Sequence, residues 1–163
     1  MGRILIVGLG NILLGDEGLG VKVVRELKEE FAFSEEVELL DGGTGGFFLL
    51  PHLEKAERLI IVDAVKGGNL PGTLTFEALE SLPMDTLERI SLHEISFPDL
   101  LKILELKGKH FEKIILAGIE PQNLEVGFEL SEDVKGAIPE LKKRIIDLLR
   151  EWGVSLQRVS KLP

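Results

Sequence analysis

Three times in the first half of the chain, a short run of leucine and β-branched residues breaks into glycines accompanied by an acid. This repetition constrains the fold more than any other feature. Ile4 to Val7 has no polar interruption, stops at Gly8 and Gly10, and is followed by Asp16 and Glu17. Val37 to Leu40 runs into Asp41-Gly-Gly-Thr-Gly-Gly46, and Arg58 to Val62 into Asp63-Ala-Val-Lys-Gly-Gly68. An uninterrupted apolar run suits a strand covered on both faces of a parallel sheet. Between the runs lie helical patterns, one around Val21 to Phe31 and one from Phe47 to Lys55. Alternation of this kind builds βαβ crossovers, so the expected class is α/β. In open α/β sheets ligands bind outside the carboxyl ends of the strands, which is where Asp16, Glu17, Asp41 and Asp63 fall.

The second half continues the pattern. Thr73 to Phe76, after Pro71-Gly72, is a weaker strand suited to a sheet edge, the one place where antiparallel pairing is expected. Phe97 to Leu106 reads as a helix and Lys113 to Ala117 as another buried strand. Ile138 to Trp152 is amphipathic, with Leu141, Ile145, Leu148 and Leu149 on one face and Pro139 in its expected first turn. The tail from Ser155 to Pro163 is expected to be loosely held. The 163 residues are one domain's worth, 1–163, and a chain of about 150 residues buries roughly 68–70% of its unfolded surface.

Composition excludes several functions. Lys and Arg number 19 against 28 Asp and Glu, a net charge of −9, which disfavours any role that depends on neutralising phosphates and hence a nucleic-acid partner. The chain has no cysteine, so disulfides, thiolate metal sites and a cysteine nucleophile are all absent, in keeping with a reducing cytoplasm. Ile4 to Leu14 has one basic residue before it and acids after it, unlike a secretory signal. No apolar stretch approaches the ~20 residues needed to span a bilayer, so no membrane partner is expected. Ile6 stands where a myristoylation signal needs Ser or Thr.

Glu17, Asp63 and His93 are the candidate metal ligands. Two oxygens and a nitrogen suit a divalent ion such as zinc or nickel, but the three are far apart in the chain and local spacing does not support a site. Asp16 is most simply a helix cap or first-turn acid, and Glu17 can serve the same purpose. Asp41 begins a glycine turn and can bond its own backbone. Asp63 is harder to explain away, because a carboxylate ending a buried strand must find a partner. His52 and His110 lie in helical or charged stretches and read as solvated. Phe47-Phe-Leu-Leu50 reads as a buried helix face and Glu120-Pro-Gln122 as a turn.

Gly8-Leu-Gly-Asn-Ile-Leu-Leu-Gly-Asp-Glu-Gly-Leu-Gly20, Asp41-Gly-Gly-Thr44, Val62-Asp-Ala64, His93 and Gly118-Ile-Glu-Pro-Gln122 resemble, in order and spacing, the motifs of the hydrogenase maturation endopeptidases. The resemblance runs from Arg3 to the C-terminal helix. It implies a three-layer, mostly parallel twisted sheet with helices on both faces, of the phosphorylase/hydrolase-like kind. It also implies an endopeptidase that trims the C-terminal extension of a nickel-iron hydrogenase large-subunit precursor in the cytoplasm after nickel insertion. Carried over residue by residue, Glu17, Asp63 and His93 match the family's metal-contacting positions, and Asp41 matches an acid implicated in its function, a general base or a backbone organiser. The nickel is implied to be presented by the substrate, and no nucleotide is implied. After His93 the chain departs from the family's glycine-leucine pair and reads Glu94-Ile-Ser-Phe-Pro-Asp-Leu-Leu101. Asp99-Leu-Leu keeps the helix signal, and Pro98 suits the first turn of that helix.

Three other functions compete. A dinucleotide-binding domain also opens with Gly-x-Gly, but Leu13 stands at the third glycine position and two acids lie where a pyrophosphate would sit. A peptidyl-tRNA hydrolase also opens with Gly-Leu-Gly-Asn, but it binds a polyanion, and no histidine comes soon after the turn here. A metal-checking chaperone that binds the precursor without cutting it differs only in leaving the peptide bond intact.

Overall fold

The computed structural model describes residues 2–44, 46–79 and 96–159. His93, the departure at Glu94-Ile95 and the last four residues of the tail lie outside them. Among the described residues a five-stranded sheet has the order β3-β1-β4-β6-β5. Its strands are β1 (Ile4–Leu9), β3 (Val37–Gly43), β4 (Arg58–Ala64), β5 (Leu74–Leu79) and β6 (Lys113–Ile119). β1 pairs in parallel with both β3 and β4, and β4 in parallel with β6. Edge strand β5 runs antiparallel to β6, as expected for the weak strand after Pro71-Gly72.

From β1 the chain crosses to β3 through α1 (Leu19–Glu30). It returns to the other side of β1 through a 3-10 turn (Phe47–Leu49) and α2 (Leu50–Lys55) to reach β4. Right-handed crossovers running in opposite directions along a sheet place their helices on opposite faces, and the core divides accordingly. Ile4, Ile6, Ile60, Val62 and Ile115 meet α1 and α4 (Glu132–Glu151) on one face. Leu5, Val7, Leu59, Ile61 and Leu116 meet α2 and α3 (Ser96–Leu106) on the other. Each such fully buried aliphatic side chain contributes about 1.5–3 kcal/mol.

Several expectations are corrected. α4 starts at Glu132, N-capped by Ser131, whose Oγ accepts from the Val134 amide at 3.4 Å. Pro139 therefore lies inside the helix, on its exposed side, because the cap and the acids Glu132 and Asp133 nucleate the helix before the proline. The tail is tied down as far as Val159. Strand β7 (Leu156–Arg158) pairs antiparallel with β2 (Phe31–Phe33), and the Arg158 guanidinium sits 4.8 Å from the Phe31 ring centroid. Phe47 and Phe48 are 74% and 55% exposed, and Leu49 alone of the three turns into the core, since a 3-10 turn this short directs one side chain inward. His52 Nδ1 lies 2.7 Å from Glu38 Oε2 in a part-buried pair, while His110 is exposed as expected. No helix among the described residues is long and apolar enough to cross a membrane.

Candidate active site

The sheet reverses its direction of growth at β1: β3 lies on one side and β4, which follows it in sequence, on the other. The carboxyl ends of β1 and β4 are thus the switch point, where loops diverge and leave a crevice. Glycines let the chain after β1 fold down onto it. A Cβ at Gly20 would collide with the carbonyl oxygens of Val62 and Leu9, and one at Gly8 with the carbonyl of Gly20. Gly10 has φ +129°, and a Cβ there would strike the Glu17 carbonyl. Only glycine lets α1 and the 3-10 turn Gly15–Gly18 sit this close to the strand ends.

Four carboxylates are buried among the described residues: Asp16 and Asp63 at 0% exposure, Glu17 at 3% and Glu120 at 8%. Asp63 is the penultimate residue of β4 and the other three lie beyond carboxyl ends of strands; two of the four hold loops together. Asp16 accepts from the Gln122 and Asn123 amides at 2.8 Å, the Ser131 amide at 2.7 Å and the Ser131 hydroxyl at 2.8 Å. It is therefore the tie between the first loop, the loop after β6 and the start of α4, not a cap of its own helix as the sequence suggested. Glu120 Oε1 accepts from the Gly67 and Asn69 amides at 2.8 and 3.1 Å and fixes the loop after β4, so that residue is more than turn material.

Glu17 and Asp63 are both buried at this end of the sheet, near Gly10. Asp63 Oδ1 accepts from the Ala64 amide at 2.8 Å and lies 3.5 Å from where a Gly10 Cβ would project. Gly10 thus stands between Asp63 and the Glu17 backbone. Lys66 Nζ, from the loop after β4, approaches Glu17 Oε1 to 3.6 Å. Burying a carboxylate is costly unless hydrogen bonds or an opposite charge offset it, so a pair of such groups at a ligand-binding edge is chemically significant. The described residues hold no group of three or more His, Cys, Asp or Glu side chains arranged to bind an ion, and the candidate third member, His93, is outside them.

Asp41 is placed differently. Its strand partner is Gly8, which is also level with Val62, so alternation puts Asp41 on the α1 face and Asp63 on the opposite one. There Asp41 accepts from Arg25 of α1, with Oδ2 at 2.8 Å from Nη2 and 3.0 Å from Nε. The pair is about half exposed. Asp41 lies within the strand, ahead of the glycine turn.

Comparison with known proteins agrees with this architecture. The family model described as hydrogenase maturation protease matches residues 21–148. The chain is 38% identical over 153 residues to the hydrogenase 2 maturation protease of Escherichia coli, covering 93% of each protein. It is 36% identical over 152 residues to the hydrogenase expression/formation protein HoxM of Cupriavidus necator, covering 92% of this chain and 75% of that one. The chain belongs to the hydrogenase maturation protease family. Its fold superimposes on the hydrogenase maturating endopeptidase HybD from E. coli with a TM-score of 0.89 at 36% identity, over 96% of this chain and 97% of that one. With the [NiFe] hydrogenase maturation protease HybD from Thermococcus kodakarensis the TM-score is 0.71 at 30% identity, over 90% and 98%.

For a maturation protease the surroundings of the buried acids are informative. Ile12 and Leu13 follow β1, Phe47 and Phe48 follow β3, Leu70 follows β4, and Val126 and Phe128 follow β6, all exposed. The loops after β1 and β6 are tied to each other: the Gly127 amide donates to the Leu13 carbonyl and the Gly15 amide to the Gly127 carbonyl, each at 2.8 Å. Apolar side chains concentrated on one rim suit contact with another polypeptide.

Proposed function

We propose that the chain, a single domain spanning 1–163, is the endopeptidase that removes the C-terminal extension of a nickel-iron hydrogenase large-subunit precursor once nickel is in place. It would act in the cytoplasm, with no nucleic-acid or membrane partner and no nucleotide. Nickel arrives as part of the substrate, and Glu17, Asp63 and His93 recognise it. The observation that carries this reading is the burial of both Glu17 and Asp63 at the switch-point end of the sheet, where oxygen donors suit a divalent ion.

With no cysteine in the chain, hydrolysis calls for an activated water instead of a thiolate. A substrate-borne ion supplies that activation by lowering the pKa of a bound water and polarising the scissile carbonyl. The carboxylates of Glu17 and Asp63 position the ion and accept the proton that the water releases as it adds to the carbonyl carbon; that proton then goes to the departing amine. Asp41 is the organiser of the α1 face through Arg25, a role favoured over that of base by its place on the other side of the sheet. The apolar rim seats the precursor. Incubation with nickel-loaded and nickel-free precursor, followed by mass measurement, tests the reading. Loss of the extension from the loaded form only is expected, and equal cleavage of both would contradict it.

A further inference from the structure

The sequence gives no reason to single out Lys66, yet its ammonium lies 3.6 Å from Glu17 Oε1. The Glu17 side chain is 5% exposed and that of Lys66 38%, so the lysine reaches in from solvent over a buried acid. Its backbone is fixed. The Val65 amide donates to the Ile119 carbonyl at 3.1 Å, and the Gly67 and Asn69 amides donate to Glu120 Oε1. The ammonium itself is carried on a flexible four-carbon stem. A rigid anchor with a movable point charge can occupy the site or leave it.

We propose that the Lys66 ammonium is a resident counter-ion of Glu17 that a divalent ion must displace. This rests on the assignment of Glu17 and Asp63 to ion recognition. While the crevice holds no ion, the monocation offsets part of the cost of keeping a buried carboxylate charged. A doubly charged ion on the same carboxylate repels the ammonium, so binding requires Lys66 to swing into solvent and forfeits that pairing. The consequence is a threshold. Free divalent ions, dilute in the cell, bind weakly and leave the crevice empty. An ion fixed in a docked precursor is presented at an effective concentration in the millimolar range and overcomes the same opposition. Lys66 thereby makes the site respond to metal as cargo and not to metal in solution.

Calorimetric titration of the purified protein with Ni²⁺ tests this, comparing wild type with K66M, K66Q and K66R, each first checked for native circular dichroism. K66M and K66Q are expected to bind about tenfold more tightly than wild type, a change of about 1.4 kcal/mol, and K66R to stay within about twofold. The gain should vanish in the K66M/E17Q double variant. Equal, weaker or undetectable binding by folded K66M and K66Q would overturn the counter-ion role, as would a gain that survives E17Q. Nickel-dependent precursor cleavage that persists undiminished in E17Q would instead overturn the ion-recognition assignment beneath it.

Discussion

Replacing Asp16 with alanine separates two physical pictures of the same residue. As a helix cap, Asp16 would contribute about 0.5–2 kcal/mol. The structure instead gives it four accepted hydrogen bonds at 2.7–2.8 Å and no solvent exposure. Truncation strands the amides of Gln122, Asn123 and Ser131 and the Ser131 hydroxyl, and each donor left unsatisfied costs about 1–3 kcal/mol. Relaxation of the loop after β6 and entry of water recover part of the sum, so the expected loss is about 3–5 kcal/mol. Asp16→Asn keeps the shape and one acceptor oxygen but turns an amide group toward a donor, and should lose about 1–3 kcal/mol. Urea denaturation followed by fluorescence of the chain's one tryptophan measures both. Trp152 lies under the Arg58 guanidinium, 4.9 Å from its ring centroid, and so reports on packing between α4 and β4. A loss of 1 kcal/mol or less for Asp16→Ala would refute the loop-tie argument and restore the cap.

Two further perturbations follow from close packing and from charge. Gly20→Ala drives a methyl group into the backbone of β1 and β4 and should cost at least about 2 kcal/mol, whereas Gly136→Ala, on the exposed side of α4 with nothing within 4 Å of its Cβ position, should stabilise by about 0.5–1 kcal/mol; thermal melts of both variants check the opposite signs. Burial by itself lowers the Lys142 pKa, but hydrogen bonds to Glu26 and Glu30 outweigh it and hold the ammonium above its ordinary 10.5. A raised folded-state value means this contribution is fully present below 10.5 and is lost as pH rises through the higher folded value. Lys142→Met should therefore cost about 1–2 kcal/mol at neutral pH, and its melting temperature should converge toward wild type in strongly alkaline buffer.

The framework was legible in the sequence because a strand covered on both faces leaves an uninterrupted apolar run, and β1, β4 and β6 each carry one. Asp63 stood out for a related reason: an acid ending such a run cannot be shed into solvent. The roles of Asp16 and Glu120 were not legible, since their partners are backbone amides of loops far along the chain or across the sheet, and amides leave no trace in side-chain identity. The start of α4 did have a signal, Ser131 followed by Glu132-Asp133, but Pro139 drew attention to a later start. Phe47 and Phe48 misled because apolar character normally reports burial, and here it marks a rim. Nothing in the residues around Lys66 points to Glu17, and only the fold brings the two together. The separation of Asp41 from Asp63 depends on register, because both end strands in the same way and only the parity across β1 divides them between faces.

The most direct test is cleavage of nickel-loaded precursor by Glu17→Gln, Asp63→Asn and His93→Ala, read by mass, with melting temperatures recorded for each protein. The account predicts that wild type releases the C-terminal extension while all three variants, still folded, leave it attached. Release at the wild-type rate by any of the three variants would contradict it.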